Sequence, residues 1–147
     1  MKPTRRDLAF LLPALATASA SAQEAPAALP SKSFKFDDLP VKASGEGGLN
    51  KSRAVMHGVL HNGFGLDIHE TELPPGAISH PPHRHVYEEA FVILEGTLEY
   101  FNNGTRTVLG PGSIGFAGSN DEHGVKNVGA TSCRYAVFEL GVGGTIK

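Results

Sequence analysis

The chain has 147 residues, enough for one domain, with 18 Gly, 10 Pro, one Cys and no Trp. Its formal net charge of −2 argues against a basic nucleic-acid-binding surface. No apolar run approaches the ~20 residues of a membrane-spanning helix. A single cysteine cannot form an internal disulfide, so core packing or a metal ion must hold the fold together. The frequent turn-forming residues favour a domain of many short strands over a helical bundle.

The first 22 residues have the features of an export signal peptide. A basic segment with Arg5 and Arg6 precedes an apolar run from Leu8 to Leu15, and a small-residue cleavage site ends at Ala22. The arginine pair also resembles a twin-arginine motif, although the positions after it depart from that pattern, so both export routes stay open. After cleavage we expect a periplasmic or secreted protein of bacterial type, with no stable membrane span.

The rest of the chain divides into two regions. Residues 23–52 are expected to form a flexible tether with a possible edge strand at 34–36 and a polar, Gly-rich loop at 43–52. Residues 53–147 alternate apolar and polar positions between turn signals, which predicts an all-β domain. The predicted strands are 53–61, 64–73, 79–85, 88–94, 97–101, 105–109, 113–116, 123–127 and 133–142. Nine short strands at this spacing indicate one sandwich or barrel.

Histidines and glutamates are concentrated in residues 80–89, which hold three of the seven histidines. If 79–85 is a strand, His83 and His85 project from the same face, because alternate side chains of a strand point the same way. Glu89 follows a short turn and can reach the same point from a neighbouring strand. His123 is the outstanding candidate for a further ligand to a metal ion.

Two sequence patterns frame these residues. The pattern H-x-H-x3-E-x6-G is filled by His83, His85, Glu89 and Gly96. The pattern P-G-x5-P-x-G-x2-H-x3-N is matched in type and spacing by Pro111, Gly112, His123 and Asn127. The second pattern departs at Gly118 and Asn120, where Pro and Gly are usual. In this order and at this separation, the two patterns resemble the paired signature motifs of the cupin superfamily.

This resemblance implies a single-domain, all-β, cupin-type jelly-roll barrel that binds one divalent metal ion through His83, His85, Glu89 and His123. Three imidazoles and one carboxylate suit Fe(II), Mn(II), Co(II), Ni(II), Cu(II) or Zn(II). Four protein ligands leave coordination positions open for water, dioxygen or substrate oxygens. We favour Fe(II) or Mn(II), because a folded export route would allow loading in the cytoplasm, where copper and zinc are scarce.

Four further residues are candidates for the pocket or for contacts to the ligands. His80 could contact a metal ligand or the substrate, or lie at the rim. Phe91 and Ile93 are expected to line the barrel interior and exclude water from the metal. Either Tyr135 or its neighbour Arg134 should enter the pocket, since consecutive strand residues face opposite ways.

The favoured function is that of a dioxygenase-like oxidoreductase that acts on a small oxygen-bearing molecule such as a catechol, an enol or a hydroxy acid. Glu89 would act as the general base if it can leave the metal, with His80 or Tyr135 as alternatives. A metal-dependent isomerase or lyase and a non-catalytic metal- or ligand-binding cupin are the alternative functions. The strand at 34–36 could also mediate a homodimer.

Overall fold

The computed structural model describes residues 27–142, which form two antiparallel β-sheets without an α-helix. The strands are β1 (Val41–Ser44), β2 (Asn50–Val59), β3 (Phe64–Leu73), β4 (Glu88–Glu95), β5 (Leu98–Asn102), β6 (Thr105–Leu109), β7 (Ile114–Ala117), β8 (His123–Asn127) and β9 (Cys133–Val142). Two short 3-10 helices, Phe36–Asp38 and Glu46–Gly48, flank β1. The export signal predicted for 1–22 lies outside the described residues and stays a prediction.

The strand order identifies a jelly roll. The larger sheet runs β1-β2-β3-β9-β4-β7 and the smaller one β6-β5-β8. Hairpins join β2 to β3 and β5 to β6, whereas β4 pairs with β9 and β7, strands that follow it much later in the chain. The predicted fold class, an all-β cupin-type jelly-roll barrel, is therefore confirmed.

The core lies between the two sheets and consists of alternate residues of their strands. Along β9, Cys133, Tyr135 and Val137 are buried while their neighbours are partly exposed, as a half-buried strand requires. The buried cluster comprises Leu73, Phe91, Ile93, Leu98, Tyr100, Val125, Cys133, Tyr135 and Val137. This cluster fills the space between the two sheets.

The strand expected at 79–85 does not form, and that prediction was wrong. Only two isolated bridges, Ile78↔Lys126 and His83↔His123, connect this segment to β8. Pro81 and Pro82 lack the backbone N–H that a continuous strand ladder needs. The two histidines of the first motif therefore project from a loop.

The region before residue 53 also differs from its prediction. The expected edge strand at 34–36 is absent, and Phe36 begins a 3-10 helix instead. The ring of Phe36 lies under the guanidinium groups of Arg53 and Arg134, 4.3 and 4.7 Å from its centroid, so cation–π contacts hold it against the outer face of the larger sheet. This packing replaces the strand that was expected to mediate a homodimer.

The edge strand of the larger sheet is β1, within the segment predicted as tether and loop. It pairs with β2 from Val41↔Arg53 to Ser44↔Asn50, so the barrel begins at residue 41 and not at 53. The Gly-rich sequence between the two strands forms the tight connection that brings them together.

Backbone conformation explains the glycine of the first motif and the departures in the second. Gly96 has φ +80, and a Cβ there would lie 2.6 Å from the carbonyl oxygen of Ser132. Asn120 adopts φ 63, a conformation that asparagine tolerates better than most residues. The backbone N–H of Gly118 donates to Asp121 Oδ2 at 3.2 Å, a bond that a proline could not make.

Among the described residues, no helix has the length and apolar character needed to cross a membrane.

Candidate metal centre

A pair of backbone hydrogen bonds brings the two histidine-bearing segments together. The N–H of His83 donates to the carbonyl oxygen of His123, and the N–H of His123 donates to that of His83, both at 3.0 Å. His123 is the first residue of β8, so the loop before β4 is attached to the smaller sheet at this point. This reciprocal pair places both imidazoles at the same end of the barrel.

Three imidazoles converge at this point. One ring nitrogen from each of His83, His85 and His123 can be chosen so that all three lie within 4.8 Å of one another. Nδ1 of His85 is 2.7 Å from the carbonyl oxygen of Tyr87, and Nδ1 of His123 is 3.0 Å from that of Asp121. A carbonyl can only accept, so in the neutral form of each ring Nδ1 carries the proton and Nε2 has the free lone pair that can bind a metal ion.

The free nitrogens are buried without hydrogen-bond partners. Nδ1 of His83 and Nε2 of His85 and His123 have no partner among the described residues. A buried polar atom without a partner costs about 1–3 kcal/mol. A bound cation would satisfy all three nitrogens at once, so the residues present fit a metal ion.

Glu89, the fourth residue of the predicted set, lies beside two of the three histidines. Its Oε2 lies 3.5 Å from Nε2 of His85 and its Oε1 lies 3.7 Å from Nε2 of His123. These distances exceed those of hydrogen bonds. They are close to the roughly 3.0–3.5 Å that separates two donors about 2.1 Å from a shared ion. The structure thus brings the imidazoles of His83, His85 and His123 together and places Glu89 beside two of them.

The pKa values of the cluster reflect this crowding. Burial, together with the neighbouring imidazoles of His80 and His123, lowers the pKa of His83 to about 4, so its ring is neutral at pH 7. Burial alone would raise the pKa of Glu89, but attraction to His123 and His85 outweighs it and holds this pKa below its ordinary value. Neutral imidazole and ionised carboxylate are the forms that bind a metal ion.

A cavity of about 510 Å³ is lined by three of the four residues, His83, Glu89 and His123. Its walls come mainly from the inner faces of β2, β3 and β9. Besides apolar residues, the walls carry many polar ones, namely Ser44, Asn50, Lys51, Ser52, Asp67, His69, Thr71, Ser79, His80, Tyr87, Tyr135 and Glu139. Ser44, Lys51 and His80 are exposed at the rim. The candidate ligands that line the cavity can therefore be reached by a small molecule from outside.

The other candidate residues take different positions. His80 is exposed at the rim, with its ring edge-on to that of His83 at a centroid distance of 4.1 Å. Tyr135 lines the cavity, while Arg134 lies on the outer face and pairs with acidic residues there. Phe91 and Ile93, each 1% exposed, lie in the hydrophobic core behind the cavity.

Several cavity residues were not predicted from the sequence. Tyr87 stacks on the imidazole of His85, with 3.7 Å between ring centroids and 9° between ring planes. Because Tyr87 lies two residues after the candidate ligand His85, the sequence could have indicated that its side chain lies near the site. Asp67 and Glu139 also line the cavity, but they lie 72 positions apart in the chain and carry no local motif.

We expect the stacking of Tyr87 to hold the imidazole of His85 in its binding orientation. Tyr87→Ala should weaken metal binding roughly tenfold, as the loss of a residue that orients a metal ligand typically does. Tyr87→Phe keeps the stacked ring and should bind the metal almost as tightly as the wild type. Competition with a metal-sensitive dye measures both affinities. Equal losses in the two variants would contradict an orienting role for the ring.

Comparisons with known proteins agree with this geometry. The family model of the cupin domain matches residues 69–139. No protein with a curated description matches the sequence. An RmlC-like cupin from Shewanella frigidimarina is 20% identical with a TM-score of 0.62, and the match covers 76% of this chain and 93% of that chain.

Two further solved structures are similar. KdgF from Halomonas sp. is 18% identical with a TM-score of 0.63, over 75% of this chain and 94% of that chain. A predicted oxalate decarboxylase from Thermotoga maritima is 19% identical with a TM-score of 0.62, over 76% of this chain and 100% of that chain. At these identities the likeness is one of fold. With the family model and both motifs, it identifies residues 69–139 as a domain of the cupin superfamily.

Proposed function

We propose that this protein is a metal-dependent enzyme that acts on a small, oxygen-bearing molecule. The observation that carries the proposal is a cluster of three unpartnered histidine nitrogens, of which His83 and His123, together with the carboxylate of Glu89, line a cavity of about 510 Å³. A purely structural metal site is enclosed by four protein ligands and needs no adjoining cavity. The volume lies within the range of cavities that bind small molecules.

The donor set favours a divalent ion of borderline character. His83, His85, Glu89 and His123 would hold it, and we propose Fe(II) or Mn(II), while Co(II), Ni(II), Cu(II) and Zn(II) suit the same donors. A bound ion would polarise substrate oxygens, and a redox-active one would also support reaction with dioxygen.

Protein groups around the cavity can move and hold protons. Glu89 is ionised, so its carboxylate can accept a proton from a substrate hydroxyl once it is free to turn towards it. Burial raises the pKa of Tyr135, so its hydroxyl stays protonated and can donate to a substrate oxygen. The aromatic and aliphatic core around Phe91 keeps water away from the inner side of these residues.

We propose a dioxygenase-like oxidation as the reaction. A metal-dependent isomerisation or elimination is the second candidate, because the walls also carry Asp67, His69 and Glu139. These groups can transfer protons to and from a substrate, which an isomerase or lyase requires and an oxygenation does not.

Anaerobic reconstitution followed by activity measurement tests the proposal. The purified protein is loaded with Fe(II), Mn(II), Ni(II) or Zn(II) in separate samples and mixed with catechols, enols and hydroxy acids. Oxygen uptake that depends on Fe(II) or Mn(II) supports the oxidation. Product formation without oxygen uptake, followed by NMR, supports the isomerase or lyase. Stoichiometric metal binding without turnover of any compound would contradict the enzyme proposal and favour a binding protein. His123→Ala is the inactive control.

A further inference from the structure

A row of carboxylates crosses the larger sheet from the metal centre. Glu89 on β4 is paired with Glu139 on β9, and Glu139 is paired with Asp67 on β3. Paired residues of antiparallel strands project from the same face, and all three of these side chains line the cavity. Neighbouring strands are about 5 Å apart, so the row extends roughly 10 Å from Glu89 into the cavity.

No lysine or arginine of the cavity wall neutralises this row. Lys51 is the one lysine or arginine among the lining residues, and its Nζ is 3.2 Å from Glu72. The two oxygens of Asp67 face Nδ1 of His57 at 3.1 Å and Nδ1 of His69 at 3.0 Å, and an imidazole can donate to a carboxylate while remaining neutral.

Glu139 occupies the middle of the row, and within residues 27–142 no group forms a hydrogen bond that would stabilise its charge. Burial raises the pKa of Glu139 above its ordinary value, and the negative charges of Asp67 and Glu89 raise it further, against the opposing effect of nearby histidines. A positive charge placed here would relieve both the burial and the repulsion.

The end of the cavity at the metal centre, opposite to Asp67, has the reverse electrostatic character. Nε2 of His123, in a side chain that is 2% exposed, is unpartnered and belongs to the cluster that fits a divalent cation. An electron-rich oxygen pair suits that end. The cavity therefore has two unlike ends about one to two strand spacings apart.

We propose that the cavity selects a small molecule that carries a metal-chelating oxygen pair at one end and a positively charged group, such as a protonated amine, at the other. The oxygen pair reaches the metal centre, and the cationic group lies against Glu139 and Asp67, which act as specificity-determining residues. This inference rests on the proposed metal centre and names the substrate class of the same cavity. A molecule whose second end is a carboxylate or phosphate would meet repulsion at Glu139.

Three catechols with the same chelating oxygens and different side-chain charge provide the test. Dopamine is cationic, 4-ethylcatechol is neutral and 3,4-dihydroxyphenylacetate is anionic. Each is titrated anaerobically into the metal-loaded protein at pH 7, and binding is followed by calorimetry, so no turnover is needed. A charge-assisted contact should make dopamine bind roughly tenfold more tightly than 4-ethylcatechol, and the anion should bind more weakly than either.

Variants separate recognition from a structural role of the carboxylates. Glu139→Gln and Asp67→Asn should each reduce the preference for dopamine to about threefold or less while metal content stays at the wild-type level. Glu88→Gln is the matched control, since Glu88 adjoins Glu89 in the chain, is exposed and does not line the cavity. It removes the same charge and should leave the order of the three affinities unchanged.

The outcomes distinguish this inference from the function on which it rests. The inference would be overturned if the three catechols bound with equal affinity, if the anionic one bound most tightly, or if none of them bound. It would also be overturned if both Glu139→Gln and Asp67→Asn kept the wild-type order of the three affinities. A wild-type protein that binds no metal would overturn the proposed function and this inference together. Tighter binding of the cationic catechol than of the neutral and anionic ones, measured without catalytic turnover, would support the inference even if the reaction proposed above proved wrong.

Discussion

His85→Ala should abolish stoichiometric binding of a divalent metal ion and remove the thermal stabilisation that the metal provides. Nε2 of His85 is buried without a hydrogen-bond partner and lies 3.5 Å from Glu89 Oε2, in the centre of the donor set. Its loss should lower metal affinity by at least about 100-fold. A ligand present at 100 times its dissociation constant stabilises a fold by about 2.7 kcal/mol. The metal-loaded wild type should therefore melt roughly 10 °C above the variant.

Metal content by elemental analysis and melting curves with and without a chelator check this prediction. With the chelator, the difference between wild type and variant should nearly vanish, because both proteins are then metal-free. His61→Ala is the control, since His61 is exposed and lies outside the cavity lining. A variant that keeps one metal ion per chain would show that the donor set is wrongly assigned.

Asn127→Leu should cause a large loss of stability without any direct effect on the metal donors. The side chain of Asn127 is fully buried, and its Nδ2 donates to the carbonyl oxygens of Leu73 and Thr131, both at 2.8 Å. Its Oδ1 accepts from the N–H of Gly129 at 2.9 Å. Leucine has a similar volume but leaves all three backbone groups without this partner. The expected cost is about 3–5 kcal/mol, a large part of the stability of a domain of this size.

Equilibrium unfolding in urea measures the free energy of unfolding for this comparison. Asn62→Leu is the matched control, because Asn62 also accepts a hydrogen bond from a backbone N–H, that of Phe64, but in an exposed turn. It should change the free energy of unfolding by less than about 1 kcal/mol. A similarly small effect of Asn127→Leu would contradict the role of this asparagine as a buried junction between β3 and the turn after β8.

Local sequence features were sufficient for the fold class and for most of the strands. Alternating polarity between Gly- and Pro-containing turns predicts the runs at 64–73 and 133–142, and the strands β3 and β9 have these bounds. The prediction failed at 79–85, because Pro81 and Pro82 prevent a strand ladder there. It also failed before residue 53, where β1 pairs with β2 despite a polar, Gly-rich sequence.

The candidate ligands could be named from the sequence because the two motifs carry them at fixed spacings. His83 and His85 converge with His123 for a different physical reason from the one expected. A reciprocal pair of backbone hydrogen bonds between His83 and His123 holds the loop in place, instead of the continuous strand that was predicted. The choice between Arg134 and Tyr135 depended on which face of β9 packs inward, and only the sheet arrangement decided it in favour of Tyr135.

Alternation within short segments of the sequence predicted an all-β sandwich or barrel, and the resemblance of its two motifs to those of cupins implied the jelly roll, the family and the four residues proposed to bind a metal ion. Only the tertiary structure decided the cavity and its charge. Asp67 and Glu139 meet there because β3 pairs with β9 in one register, and that register is set by the packing of the buried core between the sheets. A shift of one residue in this pairing would turn one strand's side chains to the other face, so the charge opposite the metal centre is a property of the assembled sheet.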